Sequence, residues 1–326
     1  MSTSTGPLRR SSTGECLPAP SLIADPSKRI RPEIANAMTI DVEDYFQVEA
    51  FASTIDHKDW DVLPARVARN TERLLDILGE AETQATFFVL GWIAQRHPAI
   101  VKRIAAAGHE LASHGSDHVR VDSQSLEVFR ADVRQSKRIL EDLGGVPVLG
   151  YRAPTFSIGR NSSWAHAVLQ EEGYQYSSSV YPRKHDLYGT PGAPRTAFAP
   201  LPGLIEVPLT TVRVLGIDVP ASGGGFFRLF PYSFTRQLLA YANRTNRSPA
   251  VFYIHPWEID PGQPRQREAP FLSRFRHYLN LGRTEARLRR LLGDFAWGRM
   301  DQIFLSPASA PAPVIPLWTD RKSSSW

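Results

Sequence analysis

Apolar positions along this chain follow two alternating rhythms. Short runs at 37–40, 85–90, 110–113, 148–151, 174–177, 204–209 and 250–254 read as strands. Between the early runs, apolar residues recur at helical spacing. Val67, Leu74, Leu75 and Leu78 mark one helix, and Ile100, Val101 and Ile104 mark a second behind Pro98. Leu126, Phe129, Val133 and Leu140 mark a third; Trp164, Val168 and Leu169 mark a fourth. Gly79, Gly108, Gly144-Gly145 and Gly173 stand where these helices should stop. Strand alternating with helix predicts a parallel sheet or barrel with helices outside.

Beyond Gly173 the rhythm loosens. Gly223-Gly224-Gly225 reads as a loop, 234–242 as a helix, and the residues after Pro261 as a surface excursion. Leu288, Leu291, Leu292 and Phe295 predict a last helix, with Glu285 four residues before Arg289.

Composition narrows the field. In 326 residues, 42% are apolar, enough for one large α/β domain with an appendage or for two modest domains. The net charge of +5 is spread along the chain rather than gathered in a basic stripe, which argues against a nucleic-acid partner. The single cysteine, Cys16, excludes an intramolecular disulfide. No apolar run approaches the roughly 20 residues that a membrane-spanning helix needs. The first thirty-odd residues, rich in Ser, Thr, Pro and Arg, hold no apolar signal segment, so the expected location is cytoplasmic. They read as a disordered leader over 1–35, and 306–326 read as a flexible tail.

Ionisable side chains sit at the ends of several apolar runs. Asp41, Glu43 and Asp44 follow the first strand, and three carboxylates so close repel one another unless a cation or an arginine offsets them. His114 and His118 follow another strand; on a helical turn, that spacing would let both imidazoles share one ion. His109, entering the strand, reads as structural. Arg152 precedes Ala153-Pro154, a backbone-restricted loop, and His255-Pro256-Trp257-Glu258 closes the 250–254 run. Two imidazoles, a carboxylate and open coordination positions make a hydrolytic metal site. The glycine triplet lacks the Lys-Ser/Thr of a phosphate loop.

In their order, these residues resemble the NodB-type polysaccharide deacetylases, carbohydrate esterase family 4. Thr39-Ile40-Asp41 with the following acids resembles the family's first motif, residues 113–118 its second, Arg152-Ala153-Pro154 its third, and Ile254-His255 its last. The chain is most similar to the exosortase-associated exopolysaccharide deacetylases, through Asp41-Val42-Glu43-Asp44-Tyr45-Phe46, residues 223–228, His255-Pro256-Trp257-Glu258, Phe275-Arg276-His277-Tyr278 and Arg283-Thr284-Glu285.

The resemblance implies an α/β fold, a distorted (β/α) barrel of seven or eight strands over 36–260, with a C-terminal helical extension over 261–305 packed on it. It implies a hydrolase of non-peptide C–N bonds that removes N-acetyl groups from hexosamines of a polysaccharide or oligosaccharide. His114, His118 and either Glu43 or Asp44 would hold a divalent metal, with zinc first and cobalt, nickel or manganese as substitutes. Asp41 would be the base, His255 the acid and Arg152 the residue aiming the base. Pro154, Thr155, Phe156 and Trp257 would meet substrate. Trp92, Trp164 and Tyr151 are further candidates for stacking on sugar faces.

The chain departs from the family pattern at Ser177-Ser178-Ser179, where the family carries an aspartate at the first position. That aspartate supports the arginine, and a serine hydroxyl offers a hydrogen bond without charge. Two rival readings stand beside the deacetylase: hydrolysis of a small cyclic amide on the same scaffold, and a non-catalytic glycan-binding protein using Arg265, Arg267, Arg274 and Arg276.

Overall fold

The computed structural model describes residues 1–2, 34–184, 189–307 and 312–315. The chain divides into two units, 1–31 and 32–326. All but two of the described residues belong to the second unit, so Cys16 and nearly all of the expected leader lie outside the description.

Among the described residues of that unit, eleven strands and ten α-helices follow one another. The first half runs β1 (Ala35–Val42), α1 (Val67–Glu80), β2 (Thr86–Val89), α2 (Gly91–Arg96), α3 (Pro98–Ala106), β3 (Glu110–Ser113), α4 (Leu126–Gly144), β4 (Gly150–Tyr151), α5 (Ala165–Glu171) and β5 (Tyr176–Ser177). Then come β6 (Phe198–Leu201), β7 (Leu204–Glu206), β8 (Thr211–Val214), β9 (Ile217–Pro220), α6 (Gly224–Leu229), α7 (Tyr232–Asn246) and β10 (Val251–Ile254). The chain closes with α8 (Phe271–Tyr278), α9 (Leu281–Asp294), β11 (Ala296–Gly298) and α10 (Met300–Phe304).

The main sheet has the order β10-β1-β2-β3-β4-β5-β7-β6, with β11 also on β1, and every pair is parallel except β6–β7. It curls into an open half-barrel, consistent with the distorted (β/α) barrel that the family resemblance implies. β8 and β9 form a separate antiparallel hairpin.

Strand parity decides which side chains face inward. Met38, Ile40 and Val42 of β1, Phe87 and Val89 of β2, and Phe252 and Ile254 of β10 join the cluster that packs under the helices. Ala37, Phe88, Val251 and Tyr253 point the other way, into a second cluster with Ala112, Phe156 and Tyr176. Thr39 and Asp41 share the parity of Ala37, so they face the interior. Because the strands are parallel, their C-terminal ends gather at one mouth. Val42 pairs with Val89, Val89 with Ser113, and Ser113 with Tyr151, while Ile40 lies beside Ile254. Glu43, His114, Arg152 and His255 therefore each leave a strand at the same rim.

Several expectations are corrected here. His114 and His118 are not on a helical turn; they lie in the loop after β3, and His118 has φ 54°. The glycine triplet is not an open loop, because Gly224 and Gly225 begin α6. Its glycines answer a close approach instead: a Cβ on Gly223 (φ +112°) would lie 2.1 Å from the Tyr253 carbonyl oxygen. The stretch after Pro261 contains α8, which falls inside the expected surface excursion. The strand expected over 204–209 stops at Glu206. Of the expected tail, residues 313–315 run along β6, with the amides of Ala199 and Ile315 bonded to the carbonyls of Pro313 and Ala199.

Candidate active site

The loop after β3 is fixed from three sides. The amides of Gly91 and Trp92, at the start of α2, donate to the carbonyls of Gly115 and Ser116. Asp132 of α4 accepts from the Ser116 amide at 2.9 Å, and Ser113 Oγ accepts from the Gly115 amide at 3.1 Å. His114 Nδ1 is 2.8 Å from the Arg152 carbonyl oxygen, to which it donates, leaving Nε2 with its lone pair toward the cavity. Burial lowers the His114 pKa to about 4, so the ring is neutral and able to ligate.

Glu43, His114 and His118 each offer a ligand atom, all within 4.8 Å of one another. Glu43 Oε2 lies 2.8 Å from His118 Nε2 and is buried without a hydrogen-bond partner. An orphaned carboxylate oxygen among imidazole nitrogens fits a divalent cation as the missing partner. Burial opposes ionisation of Glu43, but His118 and His255 outweigh it and lower the carboxyl to about 2.

Asp44, the other candidate ligand, turns away. Its Oδ2 accepts from the amides of Arg66 (2.5 Å) and Val67 (2.8 Å) at the start of α1, and its Oδ1 accepts from the Tyr45 amide. It caps a helix instead of facing the imidazoles. Burial raises its pKa to about 6 against those three donors.

Asp41 and Arg152 meet as expected. The fully buried guanidinium donates from Nη1 to Asp41 Oδ1 at 2.5 Å and to Thr39 Oγ1 at 2.8 Å. Its other nitrogens are held by Ser178 rather than by Ser177: Nε donates to the Ser178 carbonyl at 3.2 Å and Nη2 to its hydroxyl at 3.0 Å. Ser177 bonds to Ser179, whose hydroxyl accepts from the Ala153 amide. Ser178, and not Ser177, therefore fixes the arginine.

On the far wall, His255 Nε2 stands 3.1 Å from Glu43 Oε1 and 3.9 Å from Asp41 Oδ2. Its Nδ1 is 2.7 Å from Glu258 Oε1, and Arg228 Nε donates to Glu258 Oε2 at 2.6 Å. Burial opposes the charge, but Glu43 and Glu258 outweigh it and raise the His255 pKa to about 9. Trp257 stacks between His255 and His277, at 5.2 Å and 4.1 Å.

A cavity of about 130 Å³ is walled by Asp41, Glu43, His114, His118 and His255, together with Thr155, Phe156, Tyr253 and Trp257. Thr155 and Phe156 reach it from a turn with φ of 55° and 47°, backbone that non-glycine residues adopt where surrounding structure holds it. Pro154 starts that turn but does not line the cavity. Tyr151 is buried against Phe129 and Tyr174, Trp92 packs on Phe46 and Trp60, and Trp164 packs on Phe129, and none of the three lines the cavity. The structure adds Glu258, Arg228, Ser178 and Asp132 to the site's support. Glu258 stands in the motif with His255, and Arg228 and Ser178 stand in the 223–228 and 177–179 stretches, proximities that could have marked them; Asp132 carries no sequence signal.

Residues 49–177 match the polysaccharide deacetylase family model, and 178–305 match a domain of unknown function, DUF3473. A peptidoglycan-N-acetylglucosamine deacetylase of Bacillus cereus is 31% identical over 105 residues, 32% of this chain and 47% of its own. A chitooligosaccharide deacetylase of Rhizobium leguminosarum bv. trifolii is 34% identical over 70 residues, 22% and 33% of the two chains. The chain thus spans half or less of the length of these curated relatives. A crystal structure from Mycobacterium smegmatis, classed with polysaccharide deacetylases, aligns with TM-score 0.55 and 21% identity over 86% of this chain and 93% of that one, a likeness of fold. Residues 49–177 thus form a domain of the polysaccharide deacetylase type. The chain joins that domain to DUF3473, and His255, Glu258 and Arg228 all fall within the DUF3473 portion.

Proposed function

We propose that this protein is a metal-dependent hydrolase that removes N-acetyl groups from hexosamine residues of a polysaccharide or its precursor, in the assembly of an exopolysaccharide. One observation carries the reading: Glu43, His114 and His118 converge within 4.8 Å beside Asp41 and His255. The names of the curated relatives support the bond type, and the resemblance carried by the 41–46 and 255–258 motifs supports the exopolysaccharide setting.

Glu43, His114 and His118 would hold the cation, zinc being the first choice for two imidazoles and a carboxylate. When bound, such a cation polarises the acetyl carbonyl and makes a neighbouring water more acidic. Asp41, aimed by Arg152, takes the proton of the attacking water. The Thr155 amide, after Pro154, would meet the developing oxyanion, and Phe156 would wall the acetyl group. His255 carries a proton because two carboxylates surround it, and it delivers that proton to the departing amine. Glu258 fixes the ring from Nδ1, and Trp257 fixes its plane.

The test is acetate release from N-acetylglucosamine oligomers and peptidoglycan fragments by zinc- or cobalt-loaded protein. His114→Ala should lose both bound metal and release. Protein carrying one metal equivalent that frees no acetate from any N-acetylated glycan would refute the proposal.

A further inference from the structure

The face beside the catalytic cavity is apolar and cationic together. On α8, Phe271 is 75% exposed, Leu272 53% and Phe275 49%, and Leu229 at the end of α6 is 49% exposed. The rings of Phe271 and Phe275 stack on each other, 6.4 Å apart, and so form one apolar projection. Leu229, Leu272 and Phe275 wall a groove of about 370 Å³ that shares Val48, Tyr253 and Trp257 with the catalytic cavity. Across Phe275 lies a second hollow of about 390 Å³, lined by Arg265, Arg267 and Arg274. Between residues 261 and 279 the chain carries four arginines and one acid, Glu268. Among the described residues, no carboxylate pairs with Arg265, Arg267 or Arg274.

Two occupants could be considered, a glycan or a lipid surface. A sugar ring stacks its apolar face on aromatics, but its hydroxyls need carboxylates and side-chain amides around them. The groove walls contain neither. Large apolar side chains standing out of the surface with arginines beside them that no carboxylate neutralises match the chemistry of an anionic bilayer instead. We propose that α8 docks the protein on an anionic phospholipid surface. Phe271, Leu272 and Phe275 enter the acyl boundary, Arg265, Arg267 and Arg274 meet headgroup phosphates, and the groove toward the catalytic cavity opens at the membrane. The docking does not depend on the deacetylase reading, since it needs no turnover to be observed.

The test is co-sedimentation of the full chain with phosphatidylglycerol/phosphatidylcholine vesicles, with pure phosphatidylcholine vesicles as the contrast. The protein should pellet with the first and stay in solution with the second. Arg267→Ser/Arg274→Ser should weaken binding by about fivefold per arginine. Phe271→Ser/Phe275→Ser should weaken it by at least about tenfold, with Phe271→Ser alone as the milder variant if the pair lowers the melting temperature. The proposal is overturned if the parent ignores anionic vesicles, if it binds neutral vesicles equally, or if a folded phenylalanine variant binds like the parent.

Discussion

Glu43 and Asp44 are adjacent carboxylates with opposite assignments, so removing each should give opposite results. In Asp44→Ala, the amides of Tyr45, Arg66 and Val67 lose their acceptor inside a fully buried site. A lost helix cap costs about 0.5–2 kcal/mol, and stranded buried donors add about 1–3 kcal/mol. Relief of the burial penalty that raises Asp44 to about 6 offsets part of this. A net loss of about 3 kcal/mol follows, which at about 2 °C per kcal/mol for a large domain lowers Tm by about 6 °C. Metal binding should survive. Glu43→Ala removes the proposed metal donor, whose Oε2 has no hydrogen-bond partner, so the metal-free protein should melt within about 2 °C of the parent while metal affinity falls at least about a hundredfold. Scanning calorimetry in chelator and elemental analysis after zinc loading read the two effects separately. Loss of the metal in Asp44→Ala, or its retention at full affinity in Glu43→Ala, would refute the assignment.

Other perturbations test neighbouring parts of the reasoning. Arg152→Lys keeps the charge but cannot reach Asp41, Thr39 and Ser178 together; kcat for acetate release should fall about 10²-fold with KM little changed. Gly223→Ala forces a Cβ to within 2.1 Å of the Tyr253 carbonyl at φ +112°, and chemical denaturation should show a loss of at least about 3 kcal/mol. His109, buried with Nδ1 accepting from the Ala85 amide, has its pKa lowered to about 4 by burial. Below the unfolded value of about 6.5 the unfolded chain gains a proton that the folded one refuses, so stability falls as pH drops toward 4. Relative to neutral pH, the His109 contribution at pH 4.5 is about 2.5 kcal/mol, and His109→Gln should flatten that slope in urea titrations; an unchanged slope would exclude His109 as its source.

How much of this was legible beforehand differs from residue to residue. The alternation of strand and helix rhythms was enough for the parallel sheet, since each rhythm records which side chains must leave water. A parallel sheet in turn brings its C-terminal strand ends together, so the residues after β1, β3, β4 and β10 were bound to meet at one mouth.

Other features are set by partners far along the chain. Ser178 rather than Ser177 holds Arg152, because the turn of β5 into its loop decides which hydroxyl reaches the guanidinium across 26 positions. Arg228 meets Glu258 from α6, and Asp132 secures the His114 loop from α4; neither contact has a local pattern. The short helix α8 hid within a polar stretch because its apolar residues face outward, leaving no buried stripe to betray a period. The sequence by itself determined the strand rhythm, the order of the chemistry-bearing residues and the mouth at which they gather, because those follow from local burial. Tertiary structure alone decided which carboxylate faces the imidazoles, which serine holds the arginine and which face stays apolar, because those depend on distances between elements that no local pattern encodes.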